Sequence, residues 1–314
     1  MIIHNFDPIL IDLGFFQVRW YSIAYILGII IGWLYAIRII KLTRNNNYKF
    51  NQITTSQLDD VIIYIVVGII LGGRLGYILF YNFQYYSQNF FDVFKIWEGG
   101  MSFHGGLLGV IVSIIIFARK TKINFFIFGD IISCVSPIGI FFGRVANFIN
   151  GELYGKFSTA PWAVIFPNID GLARHPSQIY EAILEGIFLF LLINYFALKK
   201  KLLFKPGYIS AIFLISYSIA RIFSEFYREP DSHIGLFFNY FSLGTLLSLI
   251  TTFAGIVIIL YIVERLSTRI KTVEDLEKFG LSVLSIIPSM PKKEKINSEK
   301  QIVRNLITSQ DPKS

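Results

Sequence analysis

Seven long apolar runs, separated by short polar connections, dominate the pattern of the chain. They cover residues 18–42, 60–81, 103–117, 125–142, 177–198, 207–227 and 239–263. A helix needs about 20 mostly apolar residues to cross the hydrocarbon core of a bilayer. The pattern therefore predicts an all-α integral membrane protein with seven transmembrane helices, of which the third is the shortest.

The composition agrees with this class of protein. Of the 314 residues, 54% are hydrophobic, and the mean hydropathy is +0.57, far too apolar for an ordinary soluble domain. Residues 266–314 differ, because lysine, glutamate, serine and asparagine dominate there. We expect a transmembrane domain over 1–265 with extracytoplasmic loops, and a polar cytoplasmic tail over 266–314 that is partly disordered.

The distribution of basic residues predicts the orientation of the helices. The connections after the first, third and fifth runs carry most of the loop cations: Lys41, Arg44, Lys49, Arg119, Lys120, Lys122, Lys199, Lys200, Lys201 and Lys205. Because cytoplasmic loops are enriched in lysine and arginine, the N-terminus is predicted outside and the C-terminus inside. This bias also accounts for the net charge of +8, so nucleic acid is not a predicted partner.

The most informative polar stretch ends the fourth run, on the predicted outer side. Here Arg144 and Asn147 are three residues apart, hence on one helical face, and Glu152 and Gly155 follow. An arginine in hydrocarbon costs about 3 kcal/mol even on a lenient insertion scale, so it is a functional candidate by default. An anionic lipid headgroup would suit Arg144. Glu152 can orient it or accept another hydrogen bond, and Gly155 can supply a turn; the alternative is an ion pair that locks the helix end.

Two further spans carry charges on this side. Arg221, Glu225 and Arg228 form one stripe, which could bind phosphate or form an internal ladder of salt bridges. Glu181 and Glu185 lie one turn apart within the fifth span and need partners there, so we expect arginines from neighbouring helices to pair with them.

Three more residues are candidates for the site. Arg74 lies inside the second apolar run, and Tyr25 lies one turn deeper than Tyr21, at a boundary where aromatic residues are ordinary. His104 stands at the mouth of the third run, where a general base and a structural histidine are equally good interpretations. The four histidines lack the spacing of a helical zinc site, so no metal is predicted.

Taken together, six motifs resemble the prolipoprotein diacylglyceryl transferase family over roughly residues 15–265. They are Trp20-Tyr21 with Tyr25, Gly73-Arg74-Leu75-Gly76-Tyr77, His104-Gly105-Gly106-Leu107, Gly143-Arg144 with Asn147-Phe148-Ile149-Asn150-Gly151-Glu152, Arg174-His175-Pro176-Ser177-Gln178, and Arg228-Glu229-Pro230-Asp231. Six motifs in this order are highly specific, whereas His-Gly-Gly-Leu alone would be weak.

The resemblance implies an enzyme of the bacterial cytoplasmic (inner) membrane that works without a metal or dissociable cofactor. It would transfer the diacylglyceryl group from phosphatidylglycerol to the lipobox cysteine in a prolipoprotein signal peptide. Catalytic roles are then expected for His104, Tyr25 and Arg144, and lipid-phosphate binding for Arg144, Arg221 and Arg74. Supporting roles are expected for Asn147, Glu152, Gly155 and Glu225.

Other classes of membrane protein fit less well. A multi-span transporter for an anionic solute is the main alternative, since charged residues also line translocation paths. It predicts polar residues that continue to the cytoplasmic side, where the spans are largely apolar. A retinal protein would need a lysine in the last span, and an intramembrane serine protease a Gly-x-Ser-Gly turn; neither is present.

Overall fold

The structure, a computed structural model, is mostly helical and describes residues 2–14, 17–44, 53–95, 102–230 and 241–266. The α-helices there are α1 (Trp20–Arg44), α2 (Thr55–Tyr81), α3 (Phe83–Gln88), α4 (Phe103–Thr121), α5 (Phe125–Ile149), α6 (Ser177–Lys199), α7 (Tyr208–Glu225) and α8 (Leu243–Leu266). Within α6, Ala182–Phe188 and Tyr195–Lys199 are π-helical. Short 3₁₀ turns span Phe90–Phe94 and Leu202–Phe204.

The described residues form five short strands, and the first of them pairs the N-terminal segment with the loop after α5. β1 (Ile2–Ile3) pairs in parallel with β4 (Val164–Ile165), which pairs antiparallel with β5 (Ala173–Arg174). β2 (Ile9–Asp12) and β3 (Gln17–Arg19) form a separate antiparallel ribbon directly before α1. The backbone at residues 2–4 is thereby paired with the same loop that carries the predicted site residues Glu152 and Gly155.

Six of the described helices are long and apolar enough to cross a membrane: α1, α2, α5, α6, α7 and α8. The third predicted span forms α4, whose 19 residues extend about 28 Å, but it is not one of these six. The membrane-protein class is therefore confirmed, while the count of seven spans stays a prediction. Helix α2 begins at Thr55 rather than at residue 60, because Thr54 and Gln57 form a capping box there.

Exposed apolar side chains on the helices face outward from the bundle. On α2, Leu71, Leu75 and Leu79 recur at four-residue intervals with 58%, 54% and 56% of their surfaces exposed. On α8, Phe253 and Leu260 are similarly exposed. A soluble monomer rarely shows continuous apolar faces of this kind, whereas lipid tails cover them without penalty.

Glycines set the closest helix contacts. On α2 and α4, Gly72 and Gly109 lie backbone to backbone, and a Cβ atom on Gly72 would come within 2.9 Å of the Gly109 Cα. Small residues at such positions let helices pack closely in membranes. Helix α1 packs along α5, and α5 also contacts α6 and α7.

The end of the bundle away from the predicted outer side has an apolar core and a polar cap. Phe117, Phe128 and Leu189 lie in this buried core. Asp130 of α5 accepts hydrogen bonds of 2.7 Å from the backbone N–H groups of Gly207 and Ser210. Since these N–H groups open α7, the carboxylate fixes the start of that helix.

We expect Gly109→Ala to destabilise the protein and Gly106→Ala to be nearly neutral. A Cβ on Gly109 would lie 2.7 Å from the Gly68 carbonyl carbon, whereas one on Gly106 would meet nothing closer than 3.8 Å. Overpacking of this kind costs about 1–3 kcal/mol. Thermal unfolding in detergent measures the difference, and equal melting temperatures for the two variants would contradict the α2–α4 packing.

Candidate functional site

Three arginines and three glutamates meet where α5, α6 and α7 converge. Arg144 comes from α5, Glu181 and Glu185 from α6, and Arg221, Glu225 and Arg228 from α7 and the turn after it. We call these six residues the ion-pair cluster. Both α6 glutamates are fully buried, which confirms the prediction that arginines of neighbouring helices pair with them.

Each arginine of the cluster contacts at least two of its glutamates. The Nε and Nη2 atoms of Arg144 lie 3.2 and 2.9 Å from Glu185 Oε2, and its Nη1 lies 3.0 Å from Glu181 Oε2. Arg221 Nη1 contacts Glu181 Oε1 at 2.5 Å and Glu185 Oε1 at 3.4 Å. Glu181 therefore bridges the two arginines predicted to bind the lipid phosphate.

The end of the predicted stripe on α7 completes the cluster. Arg221 Nη2 lies 2.5 Å from Glu225 Oε1, and Arg228 Nη1 lies 3.7 Å from the same oxygen and 3.9 Å from Glu181 Oε1. Ser242, just before α8, donates a 2.9 Å hydrogen bond to Glu225 Oε2. The stripe is thus a ladder of ion pairs, and both of its arginines contact Glu181, which is also a partner of Arg144.

A glycine contact explains how the α6 glutamates reach α5. Gly186 follows Glu185 directly, and a Cβ atom there would lie 2.7 Å from the Phe141 Cβ. Only a glycine allows α6 to approach α5 this closely. The approach brings the Glu185 carboxylate against Arg144 one turn of α5 after Phe141.

The end of α5 turns back on itself and places Glu152 against Asn147. Gly151 has φ +68°; its N–H donates to the Phe148 carbonyl at 2.9 Å, and the Glu152 N–H donates to the Asn147 carbonyl at 3.1 Å. This is a Schellman motif, which requires a residue in the left-handed region, usually glycine. The turn predicted at Gly155 therefore lies four residues earlier, at Gly151.

A second polar group, the Tyr21–Asn147–Glu152 triad, lies beside this turn. Asn147 Nδ2 donates to Glu152 Oε1 at 2.8 Å, and the Tyr21 hydroxyl hydrogen-bonds with both side chains. Asn147 is buried. The triad joins the first turn of α1 to the last turn of α5, and it occupies Glu152 with partners other than Arg144.

Gly155 and Arg174 fasten the loop to the segment after α7. Gly155 forms an antiparallel bridge with Arg228, and a Cβ atom there would lie 2.7 Å from the Tyr227 carbonyl oxygen. Arg174 donates to the Gly155 carbonyl at 3.0 Å and pairs with Glu229 at 3.2 Å and with Asp170 at 2.5 Å.

Stacking and charge hold Arg174 in this position. Its guanidinium lies over the Phe157 ring, 4.2 Å from the centroid, and 4.8 Å from that of Tyr154. The hydrogen bond from Arg174 holds the pKa of Asp170 below its ordinary value, so the pair stays ionised well into the acidic range. By pairing with Glu229, this arginine fixes the segment after α7 from which Arg228 enters the cluster.

Arg74 has contacts of a different kind. It is buried, and its guanidinium donates to the backbone carbonyls of Val93, Asp92 and Lys95 at 2.9, 2.6 and 3.1 Å. The same group lies 5.1 Å from the centroid of the Tyr86 ring. These contacts fix the segment between α2 and α4, and they do not place Arg74 in the ion-pair cluster.

The other two predicted catalytic residues, Tyr25 and His104, have no described contact with the ion-pair cluster. Tyr25 is 64% exposed and stacks on Tyr21 at 5.9 Å between ring centroids. His104 lies in the first turn of α4, after the N-cap Ser102. Its side chain, residues 96–101 before α4, and Asp231 of the last motif lie outside the described part of the structure.

The arrangement is suited to binding an anion. Arg144 has five N–H groups, and its hydrogen bonds to Glu185 use only groups on Nε and Nη2, whereas Nη1 makes a 3.0 Å ion pair with Glu181. Its side chain is 17% exposed, more than those of Arg221 and Arg228 at 9%. A phosphate could therefore bind at Arg144 while the glutamates keep the guanidinium groups in place.

Comparison with known proteins decides the family. The model of the family described as prolipoprotein diacylglyceryl transferase matches residues 8–261. The chain belongs to this family. Proteins named phosphatidylglycerol–prolipoprotein diacylglyceryl transferase are similar to it over about four fifths of its length. That of Rhizobium meliloti (strain 1021) is 49% identical over 254 residues, covering 80% of this chain and 90% of the relative.

Two further relatives carry the same name. The protein of Rickettsia felis is 50% identical over 249 residues, covering 79% of this chain and 93% of its own length. That of Rickettsia bellii (strain OSU 85-389) is 46% identical over 261 residues, covering 83% and 97%. These relatives confirm the predicted family and the class of transferase, and they give no support to the transporter alternative.

Sequence reasoning missed Tyr21 as a member of the site. Aromatic residues at a membrane boundary are common, so nothing in the local pattern distinguished Tyr21 from Tyr25. The useful signal would have been the need of Asn147 and Glu152 for a partner. Only packing of α1 along α5 shows which tyrosine supplies it.

We expect Tyr21→Phe to lower the transferase rate about tenfold and Tyr25→Phe to lower it less. The first change removes the hydroxyl that binds Asn147 and Glu152, and taking a hydrogen-bond partner from the buried Asn147 side chain costs about 1–3 kcal/mol. Initial rates of both variants, with melting temperatures as a check on folding, measure the effect. A larger loss for Tyr25→Phe would instead support the catalytic role predicted for Tyr25.

Proposed function

We propose that this protein transfers the diacylglyceryl group of phosphatidylglycerol to the lipobox cysteine thiol of prolipoproteins. This is the first step of lipoprotein maturation, and it releases glycerol phosphate. The observation that carries the proposal is the convergence of Arg144 and Arg221 on Glu181 in a member of this transferase family. Phosphatidylglycerol, the signal peptide with its lipobox cysteine and the bilayer are the partners that follow.

The reaction exchanges one bond for another at a glycerol carbon of the lipid. The cysteine sulfur attacks the carbon that is bonded to the phosphate oxygen, a C–S bond forms, and the C–O bond breaks. The electron pair leaves with glycerol phosphate, and the thiol proton passes to a base or to water. Because negative charge grows on the leaving phosphate, Arg144 and Arg221 would stabilise the transition state more than the bound lipid.

His104 is the base that we propose for the thiol proton. A free thiol has a pKa near 8.5 and is mostly protonated at neutral pH, whereas an imidazole accepts protons there. Support comes from its place in the first turn of α4.

We expect His104→Gln to lower turnover at least about 100-fold and to remove the acidic limb of the pH–rate profile. The loss is expected because glutamine cannot accept the thiol proton. Turnover of purified protein between pH 5.5 and 8.5 measures it. Near-normal turnover across that range would require another base.

The remaining predicted site residues would hold this machinery in place. Asn147 and Glu152 position the end of α5, Gly155 seats Arg228, and Glu225 orients Arg221. Tyr21 joins this group on the strength of its contacts with Asn147 and Glu152. Arg74 stays a predicted phosphate ligand, although its carbonyl contacts favour a role in anchoring the segment before α4.

We also propose the finer membrane arrangement. In this arrangement α4 also crosses the membrane, which brings the number of spans to seven. The N-terminus and the ion-pair cluster face outward, and residues 1–265 form the catalytic domain in the bacterial inner membrane. The polar residues 266–314 form a cytoplasmic tail. Lysines at residues 199–205, at the opposite end of α6 from Glu181, support this orientation. A cysteine introduced at Lys201 that reacts with an impermeant reagent from outside would contradict it.

Purified protein, phosphatidylglycerol and a lipobox peptide provide the direct test of function. Mass spectrometry should show a peptide that has gained the diacylglyceryl group as a thioether, together with free glycerol phosphate. A peptide with Cys→Ser at the acceptor should not react. Absence of the thioether product, or an equal reaction of the serine peptide, would refute thiol transfer.

We expect Arg144→Lys to lower kcat/KM about 100-fold, while Arg74→Lys acts mainly on stability. Lysine keeps the charge at 144 but loses the planar fork that contacts both α6 glutamates and faces the phosphate. Rates over a range of lipid concentrations, with melting temperatures, separate the two effects. An unchanged rate for Arg144→Lys would rule out two-point phosphate recognition, and a raised lipid KM for Arg74→Lys at unchanged stability would support the predicted phosphate contact there.

A further inference from the structure

One buried amide oxygen beside the ion-pair cluster accepts no hydrogen bond from the described residues. Gln178 lies in the first turn of α6 and is fully buried. Its Oε1 atom has no hydrogen-bond partner within the described residues. Buried polar atoms are nearly always paired, so an unpaired amide oxygen calls for a partner from outside the protein.

The orientation of the Gln178 amide is fixed by its other end. Nε2 donates a 2.6 Å hydrogen bond to the Glu152 carbonyl, so Nε2 is the nitrogen and Oε1 is the acceptor that remains. Ser177 next to it donates to the Leu153 carbonyl at 2.9 Å. The start of α6 is therefore fastened to the turn after α5, and Gln178 cannot exchange its two amide atoms without losing a hydrogen bond.

Gln178 also stands close to the proposed phosphate site. Glu181 follows three residues later on the same helical face, where side chains lie about 5–6 Å apart at Cβ. Glu181 holds both Arg144 and Arg221. Gln178 also contacts Glu152, whose carbonyl accepts its hydrogen bond and whose side chain belongs to the Tyr21–Asn147–Glu152 triad.

We propose that the Gln178 amide oxygen accepts a hydrogen bond from a hydroxyl of the glycerol headgroup. The inference rests on the proposed function and names the part of the lipid that this site distinguishes. With the phosphate at Arg144 and Arg221, the three-carbon headgroup extends away from it and carries two hydroxyl donors. Gln178 is then a specificity-determining residue that separates phosphatidylglycerol from anionic lipids whose headgroups lack hydroxyls.

The test compares two lipids in the same protein. Phosphatidylglycerol and phosphatidylpropanol with the same acyl chains share the phosphate and the three-carbon headgroup, but only the first has headgroup hydroxyls. A site that hydrogen-bonds a substrate hydroxyl discriminates against the analogue that lacks it. We expect kcat/KM of the wild type to favour phosphatidylglycerol about tenfold.

Gln178→Met should remove this preference, because methionine has a similar length and accepts hydrogen bonds only weakly. The loss should fall on phosphatidylglycerol alone, with the value for phosphatidylpropanol nearly unchanged. The matched control is Asn150→Leu. Asn150 also has an unpaired buried amide oxygen, but its cavity is lined by His4, Phe6 and Phe166, so this variant should keep the preference.

Several results would overturn the inference. They are a wild type without preference, a Gln178→Met variant that keeps the preference, and an equal loss for both lipids, which would show a purely structural role. If Gln178→Met is inactive with both lipids, a second experiment decides: the wild type is assayed with lipids that each lack one headgroup hydroxyl. Equal rates for all of these lipids would exclude the contact. A wild type that transfers from neither lipid would instead refute the proposed function.

Discussion

The structure depends on the pairing of three arginines with three glutamates inside an apolar bundle. An isolated charge in such surroundings is too costly to persist, and removing one partner of a buried pair costs about 3–5 kcal/mol. Arg144, Glu185 and Arg221 therefore require α5, α6 and α7 to lie in contact at this level. Gly186 meets that requirement by letting the backbone of α6 approach Phe141 of α5.

The same pairing prepares the cluster for an anionic ligand. Guanidinium groups that are already held by glutamates need little reorganisation when charge develops on a leaving phosphate, which is the main advantage of a preorganised site. Within the described residues the cluster has three positive and three negative side chains. Such balance lets arginines stay in an apolar bundle, and Arg144, with 17% of its side chain exposed, is the most accessible of the three.

Outside the bundle, a compact loop completes the site from several directions. The Schellman turn at Gly151 returns Glu152 to Asn147, and Arg174 ties Gly155 to Glu229. The loop is therefore joined to α1 through Tyr21 and to the end of α7 through the bridge between Gly155 and Arg228. In a site assembled from separate parts of the chain, each part positions the next, so we expect changes well away from the ion-pair cluster to affect it.

The sequence by itself determined the membrane class and the position of most helices, because the length of each apolar run is a local property of the chain. It also determined that Glu181 and Glu185 need arginine partners, because an unpaired charge inside a span is costly wherever its partner comes from. The sequence also identified Arg144 and Arg221 as candidate functional residues. Only the tertiary structure decided which groups meet: Tyr21 rather than Tyr25 contacts Asn147, Arg74 binds backbone carbonyls, and the turn lies at Gly151. Those outcomes depend on which helix faces pack together, and spacing along one helix carries no information about its neighbours.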